Sequence, residues 1–286
     1  MQHLIDKARI LIEALPYIRE FRGRTFVIKV GGAALEDLAL RERLAEDLIL
    51  LDWVGINLVL VHGGGKQVTD MLQRLGIESQ FSGGLRVTDE ATLQIVEMVL
   101  GGSINKEIVR LINHLGGAAV GLTGKDGGMI KARPYRDDLG LVGEVIRVDR
   151  AVIDHLIDDY IPVVAPLAVG ANGETLNINA DPFAACIAVA LEAEKLVLLT
   201  DVEGVQDADG TLISSLQARH AERMIEAGTI AGGMIPKVEN ALQALEQGVQ
   251  KVHIIDGRLE HALLLEIFTK EGVGTEVVGE DTHEQG

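Results

Sequence analysis

One pattern repeats along this chain and constrains its fold more than any other feature. A short, apolar, β-branched run ends in glycines, and a helical pattern follows. Thr25–Val30 (TFVIKV) ends at Gly31-Gly32, and residues 57–61 (NLVLV) end at His62 and Gly63-Gly64-Gly65. Residues 118–122 end in Thr123-Gly124-Lys125-Asp126-Gly127-Gly128, and residues 196–200 (LVLLT) in Asp201-Val202-Glu203-Gly204. Strands alternating with helices predict an α/β protein with a largely parallel central sheet. Such strands are covered on both faces and read as continuous apolar runs. In open α/β sheets, ligands bind at the loops that leave the C-terminal strand ends. Here those loops are the glycine clusters.

The helices between these runs are legible. Leu4, Ala8, Leu11, Leu15 and Ile18 form one apolar stripe with 4-3-4-3 spacing. Pro16 predicts a kink or break in it. Helical patterns also cover residues 36–51, 66–75, 89–100, 103–115, 182–191, 218–227, 237–247 and 261–269. Residues 137–147, polar and glycine-bearing, predict a hairpin or excursion. The tail, 279–286, is acidic and polar and predicts fraying. A lobe boundary is expected near residues 191–195.

Composition removes whole classes of function. The chain has 26 Lys+Arg against 43 Asp+Glu, a net charge of −17. Nucleic-acid binding needs a basic face, and base stacking needs aromatics, of which there are only Phe 5, Trp 1 and Tyr 3. One cysteine, Cys186, excludes a disulfide framework and a multi-cysteine zinc site. It lies in an apolar helix and reads as a core residue. At 47% apolar content the chain is not disordered. No apolar run reaches the ~18–20 residues of a membrane span, since Asp52 and Asn57 break the longest candidate. Asp6, Lys7, Arg9 and Glu13 deny the N-terminus a signal-peptide core. The expectation is a soluble cytoplasmic protein of one large or two modest domains.

Lys29 stands near the end of a strand buried on both faces, where an unpaired ammonium is expensive. Gly31 and Gly32 follow and let backbone amides approach a ligand. Lysine plus amides makes an anion site, plausible for phosphate. The alternative is a lysine whose stem packs while its head reaches solvent. Gly63-Gly64-Gly65 opens a helix and offers free N–H groups and a positive dipole end. A tight turn would need only one glycine. His62 reads by default as a core histidine.

Asp181-Pro182 reads as N-cap followed by N1 of a helix. Yet Asn177 and Asn179, one residue apart in an extended segment, face the same way. Two amides and a carboxylate together point to recognition of a polar substrate. Lys237, near a helix N-terminus after Gly232-Gly233-Met234, sits against the dipole, which a bound anion would compensate. Otherwise it is an exposed lysine. Arg86 is either a carboxylate ligand or a salt-bridge partner of Asp89 or Glu90. The Walker A pattern fails at both Gly-Lys pairs, Gly65-Lys66 and Gly124-Lys125, and no G-x-G-x-x-G follows the first strand. Neither a nucleophile triad nor H-E-x-x-H metal spacing is present.

Together these segments resemble the amino-acid kinase family. The resemblance rests on Val27-Ile28-Lys29-Val30-Gly31-Gly32, Val61-His62-Gly63-Gly64-Gly65, Gly84-Leu85-Arg86-Val87-Thr88-Asp89 and Gly124-Lys125-Asp126-Gly127. It continues through Asn177-Ile178-Asn179-Ala180-Asp181, Leu199-Thr200-Asp201-Val202-Glu203-Gly204-Val205 and Gly232-Gly233-Met234-Ile235-Pro236-Lys237. It spans about Leu11 to Thr275. The GLRVTD and NINAD segments are similar to the branch that phosphorylates N-acetyl-L-glutamate. The resemblance implies a three-layer α/β/α sandwich with two lobes, residues 23–192 holding the acyl amino acid and 193–286 holding ATP, after an oligomerisation helix at 1–22.

The reaction it implies is γ-phosphoryl transfer from ATP, with Mg2+, onto the side-chain carboxylate, in arginine biosynthesis. Lys29 would stabilise the transferring phosphoryl group, Lys237 the leaving side, and Asp181 would hold both lysines. Gly31, Gly32 and Gly64 would offer amides to the phosphoryl group. Gly64, Gly65, Arg86, Asn177 and Asn179 would bind substrate. Asp201, Gly204, Val205, Gln206, Thr229, Gly232, Gly233 and Met234 would line the nucleotide pocket. The N-terminal helix and residues 261–275 resemble features of arginine-inhibited, hexameric members, built as trimers of dimers. By that likeness Glu266, Gly272 and Gly274 would contribute to an arginine site. The apolar N-terminal stripe would interlace dimers, or else pack on its own subunit. One departure is Pro182-Phe183, where the family has small or hydroxyl residues, and bulky Phe183 would reshape a nearby surface. Two competing readings are another amino-acid or carbamate kinase of the same fold, and a non-catalytic arginine sensor. GLRVTD and the asparagine pair argue against the first. Intact Lys29, Asp181 and Lys237 argue against the second.

Overall fold

The computed structural model describes residues 2–270 and 272–279. The tail expected to fray therefore lies, from residue 280 onward, outside the described residues. The first strand is β1 (Thr25–Val30), preceded by helix α1 (Gln2–Phe21) and followed by α2 (Ala33–Glu36) and α3 (Leu38–Trp53). Next come β2 (Asn57–His62), α4 (Gly65–Arg74), the two-residue strands β3 (Phe81–Ser82) and β4 (Leu85–Arg86), and α5 (Glu90–Glu97). A π-helical segment (Met98–Ile104) leads into α6 (Asn105–His114). Then follow β5 (Ala119–Thr123), β6 (Ile130–Pro134), β7 (Val142–Val148), α7 (Ala151–Leu156), β8 (Ile161–Ala165), β9 (Leu167–Val169), β10 (Thr175–Ile178) and α8 (Ala180–Ala190). The C-terminal part holds β11 (Lys195–Thr200), β12 (Ser215–Gln217), α9 (Ala218–Glu226), α10 (Met234–Glu246), β13 (Lys251–Asp256), α11 (Ala262–Phe268) and β14 (Thr275–Val278).

Eight strands form the central sheet in the order β12-β14-β13-β11-β1-β2-β8-β5. The six from β13 to β5 run parallel, whereas β14 pairs antiparallel with β13. The alternation read in TFVIKV sorts correctly. Phe26, Ile28 and Val30 join one buried cluster with Leu48, Leu60 and Leu72. Val27 joins the other with Val59, Phe183, Ile187, Leu196 and Val238. Helices thus cover both faces, giving three α/β/α layers. The strand order places the C-terminal ends of β1, β2 and β11 side by side, and with them their glycine loops.

Several local expectations change. α1 runs unbroken through Pro16. The carbonyl that loses its partner there belongs to Ile12, an exposed residue at which the lost bond costs less than it would in the core. The α1 stripe is not packed on its own subunit either: Leu4 is 62% and Leu11 74% exposed, and Leu15 also faces solvent. The two helices expected at 89–100 and 103–115 join through the π segment. Gly101 permits this because a side chain there would crowd Thr123. The expected helix at 36–51 begins instead after Asp37, whose carboxylate caps Ala39 and Leu40. The 137–147 excursion is a hairpin arm, β6 against β7. With β9 and β10 it closes a small four-stranded barrel that periodicity did not reveal. Phe183 reshapes no surface, since it is fully buried in the core beside Gly124. Cys186 is half-buried, and burial raises its thiol pKa.

Candidate active site

The site is built on the end of β1. Lys29 is not a solvent-seeking lysine: its Nζ lies 2.8 Å from Oδ1 of Asp181. Nζ of Lys237 lies 2.8 Å from the other oxygen, Oδ2. The three side chains are largely shielded, at 12%, 13% and 22% exposure for Lys29, Asp181 and Lys237. Burial alone would raise the Asp181 pKa, but the two ammonium groups win and hold it at about 2. Asp181 is free for this role because it is not the helix cap. Asn179 caps α8, its Oδ1 accepting from the Asp181 N–H at 3.1 Å. This corrects the reading of Asp181 as N-cap.

Two cavities meet at Lys29, Gly31 and Gly32. The first, about 270 Å³, adds Gly63, Gly64, Gly65, Arg86, Asn177 and Asn179 to those three. Apolar Val68, Val96, Leu100 and Val142 complete part of its wall. Arg86 pairs with neither Asp89 nor Glu90 among the described residues. Its Nη1 donates to Ser79 Oγ at 2.7 Å, and its Nη2 to Gly65 O at 2.8 Å and Thr69 Oγ1 at 2.7 Å. The guanidinium also stacks 4.8 Å over the Phe81 ring. Asp89 is occupied in capping α5 through Thr92 N–H. A cation held only by neutral groups at a cavity wall retains its charge for a ligand. Asn177 Nδ2 donates to Thr88 Oγ1 at 3.2 Å, which orients its amide on the same wall.

The second cavity, about 420 Å³, lies on the other side of Lys29. Leu199, Thr200, Asp201, Val202, Ala231, Gly233, Met234 and Lys237 line it. The glycines at the junction keep backbone exposed. A side chain at Gly31 would come within 2.9 Å of Lys29 Nζ, and one at Gly32 within 2.2 Å of the Asp201 carboxylate. Of the residues expected around a nucleotide, Asp201, Gly233 and Met234 line this cavity. Gly204, Val205, Gln206, Thr229 and Gly232 do not. Val205 is core, its N–H bound to Thr275 Oγ1, and Gln206 bridges to Leu212.

The residues expected for arginine also converge, away from both cavities. Glu266 is buried, accepting from Val273 N–H at 2.7 Å, and a side chain at Gly272 would lie 2.9 Å from its carboxylate. Gly274 packs against the Ile254 carbonyl. Sequence reading missed two members of this cluster. His253 Nδ1 lies 2.6 Å from Glu266 Oε1, and Lys195 Nζ lies 2.9 Å from His253 Nε2. An ammonium only donates, so His253 accepts at Nε2 and donates from Nδ1 to Glu266. Burial lowers the pKa of both Lys195 and His253. Burial would raise that of Glu266, but the His253 hydrogen bond lowers it overall. Lys195 also faces the Phe21 ring at 5.1 Å, so the end of α1 reaches this cluster. The available signal was a lysine at the head of the apolar run of β11 and a histidine between the apolar residues of β13.

A sequence profile of the amino acid kinase family matches residues 24–256. The chain belongs to the amino acid kinase family. Within this family it is 52% identical to an acetylglutamate kinase of Persephonella marina, over 97% of this chain and 100% of that one. It is 57% identical to the acetylglutamate kinase of Syntrophobacter fumaroxidans, over 96% of this chain and 97% of that one. Among solved structures it is similar to N-acetylglutamate synthase from Neisseria gonorrhoeae complexed with coenzyme A and N-acetyl-glutamate, with TM-score 0.86 and 33% identity. That likeness covers 96% of this chain but 63% of the synthase, so the chain spans less than two thirds of that protein. Carbamate kinase from Giardia lamblia shares the fold, with TM-score 0.66 at 17% identity, over 90% of this chain and 99% of that one. This amino acid kinase is therefore a phosphotransferase with the expected α/β/α architecture. Among the described residues, no helix is long and apolar enough to cross a membrane.

Proposed function

We propose that this kinase transfers the γ-phosphoryl group of MgATP to the side-chain carboxylate of N-acetyl-L-glutamate, as a cytoplasmic step of arginine biosynthesis. The observation that carries the reading is the pair of cavities joined at Lys29, one with Arg86 and two asparagines, the other with Lys237. Acyl amino acid occupies the first, on the lobe of residues 23–192. Nucleotide occupies the second, on residues 193–286. The acetylglutamate kinases similar over nearly their whole length support this choice of substrate.

The chemistry suits the groups present. A carboxylate attacking a polyphosphate brings like charges together, and phosphoryl transfer is catalysed mainly by positioning and electrostatic stabilisation. Lys29 faces both cavities and stabilises the moving phosphoryl group. Lys237 faces the nucleotide cavity and neutralises the leaving side. Asp181 holds both ammonium groups apart at fixed distance. Amides of Gly31, Gly32 and Gly64 donate to phosphoryl oxygens. The donor set, two lysines and bare glycine amides, fits a polyphosphate. Mg2+ carried on that polyphosphate supplies further charge neutralisation. A general base is unnecessary, because a carboxylate is already ionised at neutral pH.

The test is ADP release with ATP, magnesium and a panel of acceptors: N-acetylglutamate, glutamate, aspartate, carbamate and UMP. Turnover is expected with N-acetylglutamate, and folded protein inert toward it counts against the assignment.

Two further parts of the reading concern assembly and regulation. The uncovered apolar face of α1 supports a hexamer in which α1 helices interlace dimers. Removing residues 1–16, which leaves Tyr17 and Phe21 in the core, is expected to reduce the particle to dimers. Light scattering measures this, and an unchanged mass refutes the interlacing. Arginine is proposed to bind at Glu266, Gly272 and Gly274. A solved N-acetylglutamate synthase from Neisseria gonorrhoeae, 31% identical, is complexed with coenzyme A and L-arginine. Arginine added at fixed substrate is expected to inhibit and to raise the apparent substrate requirement. A flat response across arginine concentrations removes the regulatory claim.

A further inference from the structure

His62 is fully buried at the end of β2, beside the first cavity, and the reaction as derived makes no use of it. Its ring has two fixed neighbours. Nδ1 lies 2.8 Å from the carbonyl oxygen of Gly63. Nε2 lies 3.2 Å from Nδ2 of Asn105, itself fully buried. That amide nitrogen is also 2.8 Å from Val163 O and 3.2 Å from Leu122 O. Two carbonyl neighbours admit only a donor, so the NH2 of Asn105 faces all three atoms, its two hydrogens shared among Val163 O, Leu122 O and His62 Nε2. The Gly63 carbonyl only accepts, so Nδ1 carries the proton and donates to it, and Nε2, facing the Asn105 NH2, is left as the acceptor. The ring is neutral: burial lowers its pKa to about 4, and nearby Lys106 acts in the same direction.

This hydrogen bond orients a catalytically placed peptide. The chain has no cis peptide bond among the described residues, so the Gly63 C=O and the Gly64 N–H point in opposite directions. With the Gly63 carbonyl facing the buried His62 ring, the Gly64 N–H faces away from that ring, and Gly64 itself lines the first cavity. The π segment fixes both ends of this chain of contacts. It delivers Asn105 at its C-terminal end, and its Ile104 and Leu100 side chains occupy the space a Cβ on Gly64 would need, at 2.3 and 2.7 Å. π-Helical turns of this kind concentrate at functional sites.

We infer that His62, locked as its Nδ1–H tautomer by Asn105, is a positioning residue that aims the Gly64 N–H at the reacting carboxylate and phosphoryl oxygens. The inference rests on the substrate assignment above only for which oxygens are met. Its value is preorganisation: a donor already aimed needs no rearrangement as charge develops.

Asparagine and glutamine separate the two ring nitrogens. The side-chain amide of His62→Asn reaches the Nδ1 position and keeps the donor to Gly63. That of His62→Gln reaches the Nε2 position and loses it. Turnover with N-acetylglutamate is expected within about threefold of wild type for His62→Asn and at least about tenfold lower for His62→Gln, with the KM for ATP unchanged in both. A merely structural histidine would make the two variants equally impaired, and that result overturns the inference. Should His62→Gln fail to fold, nitrogen-15 NMR of histidine-labelled wild type still decides. Protonation at Nδ1 of His62 is expected, and protonation at Nε2 overturns the proposal. If wild type proves inert toward N-acetylglutamate while His62 is protonated at Nδ1, the substrate assignment falls and the orienting role stands. The variant comparison then runs on whichever acceptor of the panel is turned over.

Discussion

Replacing Lys237 by alanine is expected to lower turnover by roughly 10²- to 10³-fold while leaving N-acetylglutamate affinity within about threefold. The asymmetry follows from where the side chain stands. Lys237 lines the second cavity and not the one with Arg86 and the asparagines. Removing it leaves Arg86, Asn177 and Asn179 and their hydrogen bonds in place. In the proposed reaction, what is lost is a cation beside the phosphoryl oxygens that gain charge as ADP leaves. Its cost therefore appears in the transition state and not in acceptor binding. Steady-state kinetics with titration calorimetry of N-acetylglutamate measures both quantities. Equal losses in turnover and acceptor affinity would refute a transition-state role.

Much of this arrangement was legible before any coordinates. A lysine at the end of a doubly buried strand left two readings open, an anion site or a head reaching solvent, and the Asp181 carboxylate beside Lys29 excludes the second. Lys237, read as compensated by a bound anion or else as an exposed lysine, pairs with the same carboxylate, as the family resemblance implied. Three glycines before α4 announced a bare backbone, which lines the first cavity. The failures share one cause. Asp181 beside Pro182 fits a cap by local rules, and only the approach of β1 and α10 to α8 gives it two partners instead. His253 and Lys195 went unread because their strands meet only in the folded sheet. The four-stranded barrel needs pairings between β6, β7, β9 and β10, which no local periodicity encodes. Local chemistry was readable where the chain meets itself at a strand end, and unreadable where distant segments decide.

Asp181→Asn tests the centre of the site through stability as well as activity. The carboxyl pKa falls from its ordinary 3.8 to about 2, against the direction of burial, because Lys29 and Lys237 flank it. A carboxyl depressed in the folded state adds stability that is complete above the unfolded value and lost as pH falls through the folded one. The window therefore runs from about pH 4 down to about pH 2, and nearly two pK units correspond to roughly 2–3 kcal/mol. Asparagine does not titrate, so the variant lacks this contribution and leaves two buried ammonium groups without their anion. Loss of one member of a buried ionic cluster costs about 3–5 kcal/mol, so the stability gap is expected to be of that order at neutral pH. The gap should narrow as pH drops below about 4, where wild type also loses the charge. Turnover should fall at least as far as in Lys237→Ala, since both lysines lose their fixed spacing. MgATP should raise the melting temperature of the variant more than that of wild type, because its phosphates restore an anion between the lysines. Urea unfolding across a pH series, with and without nucleotide, reads all of this. A gap that does not change with pH would show that the Asp181 charge is not what holds the two lysines.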